Sequence, residues 1–164
     1  MRRLPWDAGP PELWRLDTQA HAATWDSGKG AELAGGRWNP EGLATVYCSA
    51  DPSTAILELA VHKGFGVLDR VPHILTLAVL ETQDVHVVRD SDVPNAHWLS
   101  PAPPSQDQQL FGKSLLEANT FVLLPSAVCK FSWNVIFNPT RAAGKYRLRE
   151  QHRFSLDTRL NPPR

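Results

Sequence analysis

The chain has 164 residues, of which 42% are hydrophobic and 21% charged, and its 17 basic and 17 acidic side chains cancel to a formal net charge of zero. That length predicts one domain with a single core, and the charge balance excludes a bulk electrostatic surface for direct nucleic-acid binding or for an anionic membrane. No apolar run reaches the ~18 residues of a membrane helix.

Met1-Arg2-Arg3 is followed by Pro5, Trp6, Asp7 and Gly9 rather than by the apolar stretch of a signal peptide, so a soluble, cytoplasmic protein is expected. Two cysteines, Cys48 and Cys129, form neither a metal-ligand spacing nor a disulfide framework, and both read as buried thiols.

After the Pro10-Pro11 break, Leu13 to Leu16 reads as a first strand. Residues 26 to 42 hold Gly28, Gly30, Gly35, Gly36, Pro40 and Gly42 and are predicted to be a loop. Thr45 to Ser49 is β-branched and aromatic, a strand pattern. Asp51-Pro52 then opens a helix, with an acid at the cap and proline at the first helical position, running to Lys63 before Gly64. Ala55, Ile56, Leu57, Leu59, Ala60 and Val61 cover most of its circumference, which predicts a helix buried nearly all round with Glu58 as a lone carboxylate.

Ile74 to Leu80 predicts a central strand and Val85 to Val88 a shorter one. Residues 89 to 106, with Pro94, Pro101, Pro103 and Pro104, form a long connection of the kind that is functional or mobile in compact domains. Gln108 to Ala118 has helical spacing, Phe121 to Leu124 and Trp133 to Phe137 read as strands, and Tyr146 to Leu156 as a last strand or hairpin. The whole is expected to be a single α+β domain, with a mixed, mostly antiparallel sheet and a few helices.

Four polar residues sit at odds with these apolar elements: Arg37 after a glycine pair, Tyr47 in a strand, Glu58 in the apolar helix and Ser126 after an apolar strand. A planar guanidinium suits a phosphate, and a carboxylate in a core helix needs either an ion-pair partner, such as Arg15 or Arg37, or a chemical task. One such task is to orient a ribose hydroxyl and stabilise positive charge at a sugar carbon. Trp38, beside Arg37, is the tryptophan expected near a base or nicotinamide ring. The histidines make no metal cluster; Glu58 and His62 lie one turn apart, but two groups are not a metal site. Gly28-x-Gly30 with Gly35-Gly36 is no dinucleotide fingerprint, because no strand-to-helix transition brackets it.

At these residues the chain resembles the RES-domain toxin family. The stretches that carry the resemblance are Gly35-Gly36-Arg37-Trp38-Asn39-Pro40, Tyr47-Cys48-Ser49 through Ala55-Ile56-Leu57-Glu58, Pro125-Ser126-Ala127-Val128, Trp133-Asn134-Val135-Ile136-Phe137-Asn138-Pro139 and Phe154 to Leu160. The resemblance implies a fold similar to the ADP-ribosyltransferase core over residues 13 to 160, between an extension at 1 to 12 and a tail at 161 to 164. It implies degradation of NAD⁺ at the nicotinamide–ribose bond, by hydrolysis or by phosphorolysis with inorganic phosphate as co-substrate, and no other cofactor. It further implies an Xre-like antitoxin as partner, with a homodimer or a toxin–antitoxin hetero-oligomer as the assembly. Carried over, Arg37, Tyr47 and Glu58 would be catalytic. Arg37, Trp38, Tyr47, Ser126 and Asn134 would bind substrate, Arg37 at the pyrophosphate and Ser126 by a hydrogen bond. Thr140-Arg141 and Leu115 depart from the family pattern, which bears on affinity and acceptor more than on reaction class. A protein ADP-ribosyltransferase and a catalytically silent nucleotide- or antitoxin-binding module are the alternatives.

Overall fold

The β-branched and aromatic runs become seven strands of one sheet in the computed structural model, which describes residues 3–6 and 9–162. They are β1 (Glu12–Thr18), β2 (Val46–Ser49), β3 (His73–Leu80), β4 (His86–Val87), β5 (Phe121–Pro125), β6 (Trp133–Phe137) and β7 (Tyr146–Phe154). Their spatial order is β4-β5-β6-β2-β1-β3-β7, antiparallel throughout except for the β4–β5 pair. The α+β class with a mostly antiparallel sheet is therefore what the fold has. Met1, Arg2 and Asp7 of the basic opening, and the last two residues of the tail, lie outside the described residues.

Side chains alternate across a strand, so each run feeds two cores. On one face Leu13, Val46, Cys48, Phe121, Leu123, Val135 and Phe137 pack with Trp25 and Tyr146. The opposite face carries two separate clusters. At one end Val122, Leu124 and Ile136 meet Trp38 and Leu116, with Phe111 and Leu115 packed against them. Leu116, Phe111 and Leu115 come from helix α4 (Gln106–Ala118). At the other end Leu16 packs with Ala60 and Leu68, from helices α2 (Pro52–Lys63) and α3 (Phe65–Arg70), and with Leu156. The uncovered middle of this face is where the site lies.

Helix α2 begins as its sequence dictates. The Asp51 side chain accepts from the Thr54 backbone N–H, Pro52 takes the first helical position, and Gly64 ends the helix at φ 78°. Its circumference departs from expectation. Thr54, Ala55 and Ala60 are buried, but Leu57 and Val61 are 38% and 60% exposed, so the helix lies on the sheet by one side only. The glycine-rich segment is not all loop, since Lys29–Ala34 forms helix α1, and α3 follows α2 directly where no helix was expected. Both are one to two turns long, too short for apolar periodicity to show. The segment expected as a last strand or hairpin is one nine-residue strand, β7, paired along β3. Cys129 is half-buried rather than buried, and both cysteines are reduced. No helix among the described residues is long and apolar enough to cross a membrane.

Candidate active site

Strands β1 and β2 meet through one pair only, Trp14 with Ser49, and then diverge. In the gap the Arg15 guanidinium replaces the ladder: Nη1 donates to the Tyr47 carbonyl at 2.8 Å and Nη2 to Asp17 Oδ2 at 2.8 Å. Burial alone would raise the Asp17 carboxyl, but the Arg15 charge and the Thr18 backbone N–H together outweigh it and hold it below its ordinary value. The buried Nε of Arg15 has no hydrogen-bond partner among the described residues. Above this split lies an open cleft of about 130 Å³, whose lining includes Trp14, Arg15, Tyr47, Glu58, His62 and Asn134. Helix α2 forms one wall, through Ala55, Glu58, Leu59 and His62.

Glu58 is half-buried and makes no ion pair with Arg15, Arg37 or any other described residue. What satisfies it is a polar network. Ser126 Oγ donates to its Oε1 at 2.8 Å and Asn134 Nδ2 donates to the same oxygen at 2.5 Å. Each donor is itself held. Asn134 Oδ1 accepts from Ser49 Oγ at 2.9 Å, which orients the amide, and Ser126 Oγ accepts from the backbone N–H groups of Val128 and Cys129 at 3.2 and 3.0 Å. One carboxylate oxygen is thus fixed from strand β6 and from the loop after β5, while Oε2 accepts no hydrogen bond from any described residue. Ser126 is 2% exposed. It reaches the cleft through Glu58 and does not line it.

The Gly35–Pro40 segment folds as a knot beside the cleft. Gly36 N–H donates to the Asn39 carbonyl at 2.9 Å. Asn39 is fully buried, and its amide donates to the carbonyls of Ala31, Pro40 and Leu43. Tyr47 places its ring in the cleft wall and its hydroxyl in this knot, accepting from Trp38 N–H at 3.0 Å and donating to Asn39 Oδ1 at 2.7 Å. Burial pushes the phenol well above its ordinary value, against the opposing effects of the Trp38 N–H and the Arg37 charge. A Cβ on Gly36 would lie 2.6 Å from that hydroxyl, which is why glycine stands there.

Arg37 does not line the cleft. Its guanidinium donates to three carbonyls of the proline-rich connection: Trp98 at 2.9 Å, Ser100 at 3.3 Å and Ala102 at 3.3 Å. Gln108 Nε2 bonds the same Trp98 carbonyl, and Gln109 Nε2 bonds the Gly36 carbonyl. That connection, which contains short 3-10 turns at Asp90–Asp92 and Ala96–Leu99, is thereby strapped to the knot. Trp38 is 2% exposed and packs edge-on against Phe111 at 6.2 Å, so its ring is a core group and presents no face to a ligand.

Of the residues expected to form the site, Tyr47, Glu58 and Asn134 converge on the cleft, Ser126 stands directly behind it, and Arg37 and Trp38 lie to one side. Sequence reasoning missed Trp14, Arg15 and His62 as lining groups. Arg15 carries a signal in the sequence, a cation in the middle of a strand, which reads equally as an ion-pair partner for Glu58. Cys48 also borders the cleft, with its thiol pushed up to about 12 by burial, and is no nucleophile. Among the described residues, no group of three or more His, Cys, Asp or Glu side chains is placed to hold a metal ion.

The comparisons with known proteins agree with this architecture. The family profile described as the RES domain matches residues 12–157. The chain is 32% identical over 129 residues to "Toxin Res" of Photorhabdus laumondii, spanning 77% of this chain and 81% of that protein. It is 27% identical over 155 residues to the "Prs ADP-ribosylating toxin" of a Sphingobium species, spanning 90% and 95%. In structure it resembles a chain of the M. tuberculosis MbcT–MbcA toxin–antitoxin complex, with a TM-score of 0.73 at 18% identity, over 93% of this chain and 86% of that one.

Proposed function

The chain belongs to the RES domain family, and on that footing we propose that it is the toxin of a toxin–antitoxin pair and cleaves the nicotinamide–ribose bond of NAD⁺. The observation that carries the reading is Glu58, with one oxygen pinned by Ser126 and Asn134 and the other unengaged beside a cleft that also holds Arg15. A carboxylate oriented in this way opposes the positive charge that develops on the ribose as the glycosidic bond breaks. The bonding pair leaves with nicotinamide, which departs neutral from a cationic ring, so the leaving group needs no acid. Preorganisation matters because the network is in place before the charge appears, and no reorganisation is needed at the moment of reaction.

The cleft volume limits what it holds. Ligand pockets usually run to about 300–1,000 Å³, so a cleft of about 130 Å³ takes the nicotinamide end, with the rest of NAD⁺ extending beyond its open mouth. The half-buried Trp14 is the ring available for nicotinamide, and Arg15 is the cation nearest the split for the pyrophosphate. Tyr47 lines the same cleft, and its carbonyl accepts from Arg15. Arg37 supports the cleft wall through the knot.

The acceptor is water, inorganic phosphate or a protein side chain. A protein acceptor is the second reading, and the relative named for ADP-ribosylation of Prs, similar over 90% of this chain, favours it. The likeness to a chain of a toxin–antitoxin complex supports an antitoxin partner, for which we retain the Xre-like type. The test is NAD⁺ consumption by the purified chain, with and without phosphate, against Glu58→Gln. Nicotinamide release that the variant lacks supports glycosidic cleavage. Label transferred from NAD⁺ to a protein in cell extract would move the assignment to the transferase. Binding without consumption would move it to a silent module.

A further inference from the structure

We infer that His62 is the catalytic base that makes water a competent acceptor in this cleft, an assignment that rests on the glycosidic-bond reading above. His62 lies four residues after Glu58 on α2, so both project from one side of the helix, and both line the cleft. Its surroundings differ from those of the other polar groups there. Arg15, Tyr47, Ser49 and Asn134 are each committed to a protein hydrogen bond, and Glu58 Oε1 accepts two. His62 is exposed and has no hydrogen bond or ion pair with any described residue. Three of the other histidines are engaged: His21 with Asp17, His73 with the Val71 carbonyl and His152 with Glu150. The cleft therefore holds one unengaged imidazole, at the solvent side from which an acceptor must enter.

The two groups divide the work. Glu58 faces a ribose that becomes cationic, and a carboxylate serves there as long as it keeps its charge. Water attacking the ribose carbon must lose a proton, and a ring nitrogen of His62 takes it as the carbon–oxygen bond forms, the carbon–nitrogen pair having left with nicotinamide. His62 sits in the last turn of α2, where the carbonyl end of the helix favours the positive charge the ring acquires. Phosphate behaves differently. Its dianion attacks through an oxygen that carries no proton, so phosphorolysis needs no base.

The test is product partition. Wild type and His62→Gln are incubated with NAD⁺ at fixed inorganic phosphate, and ADP-ribose and ADP-ribose 1″-phosphate are separated by chromatography. The expected result is an ADP-ribose rate lowered roughly 100-fold, the scale of general-base contributions, with the phosphorylated product formed near the wild-type rate and the KM for NAD⁺ unchanged. The position is exposed, so equal Tm values are expected. His62→Asn should repeat the pattern. An unchanged product ratio, equal loss of both products, or a wild type that forms only the phosphorylated product would each overturn the assignment while leaving glycosidic cleavage intact. No nicotinamide release from wild type would overturn the parent reading and this one with it.

Discussion

Ser126 and Glu58, 68 residues apart in sequence, meet at 2.8 Å between hydroxyl and carboxylate, and the hydroxyl that donates there also accepts from two backbone N–H groups of its own loop. Its proton has one direction to point, toward Glu58 Oε1, because its lone pairs are taken. In this geometry Ser126 orients the Glu58 carboxylate.

Removing it frees the carboxylate to rotate without removing the charge. Ser126→Ala is expected to lower kcat about 10- to 100-fold with little change in KM, since a lost orienting donor costs up to ~2.7–4 kcal/mol where it acts directly on developing charge. Asn134→Ala should behave alike, and the double variant should fall short of the product of the two, because both hold one oxygen. Steady-state kinetics of the three decide it. A rise in KM alone would instead make Ser126 a ligand-binding residue.

Arg37 gives the opposite expectation from the one its sequence context invites. A cation bonded to three carbonyls secures a loop, and such charge-assisted bonds contribute ~1.5–3 kcal/mol each before exposure is discounted. Arg37→Ala should lower stability by about 2–3 kcal/mol and open the segment from 95 to 105 to limited proteolysis. Arg37→Lys should restore little, since a point charge cannot span three acceptors. Mass mapping of the first cleavage is the measurement. Unchanged proteolysis with lost NAD⁺ binding would return Arg37 to the pyrophosphate.

How much was legible follows from what each residue competes with. The strands and α2 were readable because period, cap and terminator agree at Asp51, Pro52 and Gly64. Glu58 and Asn134 stood out as polar groups on apolar elements, and the structure brings them together. Arg37 and Trp38 lie to one side of the cleft, and a Gly-Gly-Arg-Trp run looks the same whether it faces a phosphate or folds around a buried asparagine. That distinction lies in tertiary contacts from residues 98 to 109, which no local pattern carries. His62 was passed over because exposure on one side of α2 depends on how the helix is laid on the sheet, and its apolar count predicted burial on every side.

Gly112 tests whether α4 needs its close approach to the knot. A Cβ there would lie 2.0 Å from the Trp38 carbonyl oxygen and 2.6 Å from its carbon, both backbone atoms that cannot step aside. Gly112→Ala gains ~1 kcal/mol of helix propensity but must push α4 off Trp38, and overpacking of this kind costs ~1–3 kcal/mol or more. The expected net effect is destabilisation by about 2 kcal/mol. Gly30→Ala in α1 is the control, having open space at its Cβ, and should be neutral or slightly stabilising. Urea midpoints of the two variants check the sign.

Asp51 links pH to the site. Its carboxylate caps α2 at the Thr54 N–H, accepts from Thr54 Oγ1 at 2.6 Å and accepts from Ser132 Oγ at 2.5 Å, on the loop that carries Ser126. Burial pushes the carboxyl up, but the Ser132 and Thr54 hydrogen bonds outweigh it and leave it below the ordinary 3.8. A depressed folded value means that the stabilisation is complete above about pH 4 and is lost as pH falls through the folded value. Asp17 adds a loss of the same sign in the same window. Asp51→Asn, which keeps one acceptor oxygen but not the charge, should lower stability at neutral pH and flatten the fall of Tm below pH 4 in part. Asp51→Ala should cost about 1 kcal/mol at neutral pH from the cap alone. It should also lower kcat, because the α2 start and the Ser126 loop then lose the bond that keeps Glu58 in register with its donor. Tm profiles from pH 2 to 7, with kcat at neutral pH, separate these effects. A kcat untouched by Asp51→Ala would mean that the Ser126–Glu58 bond holds its geometry without that tie.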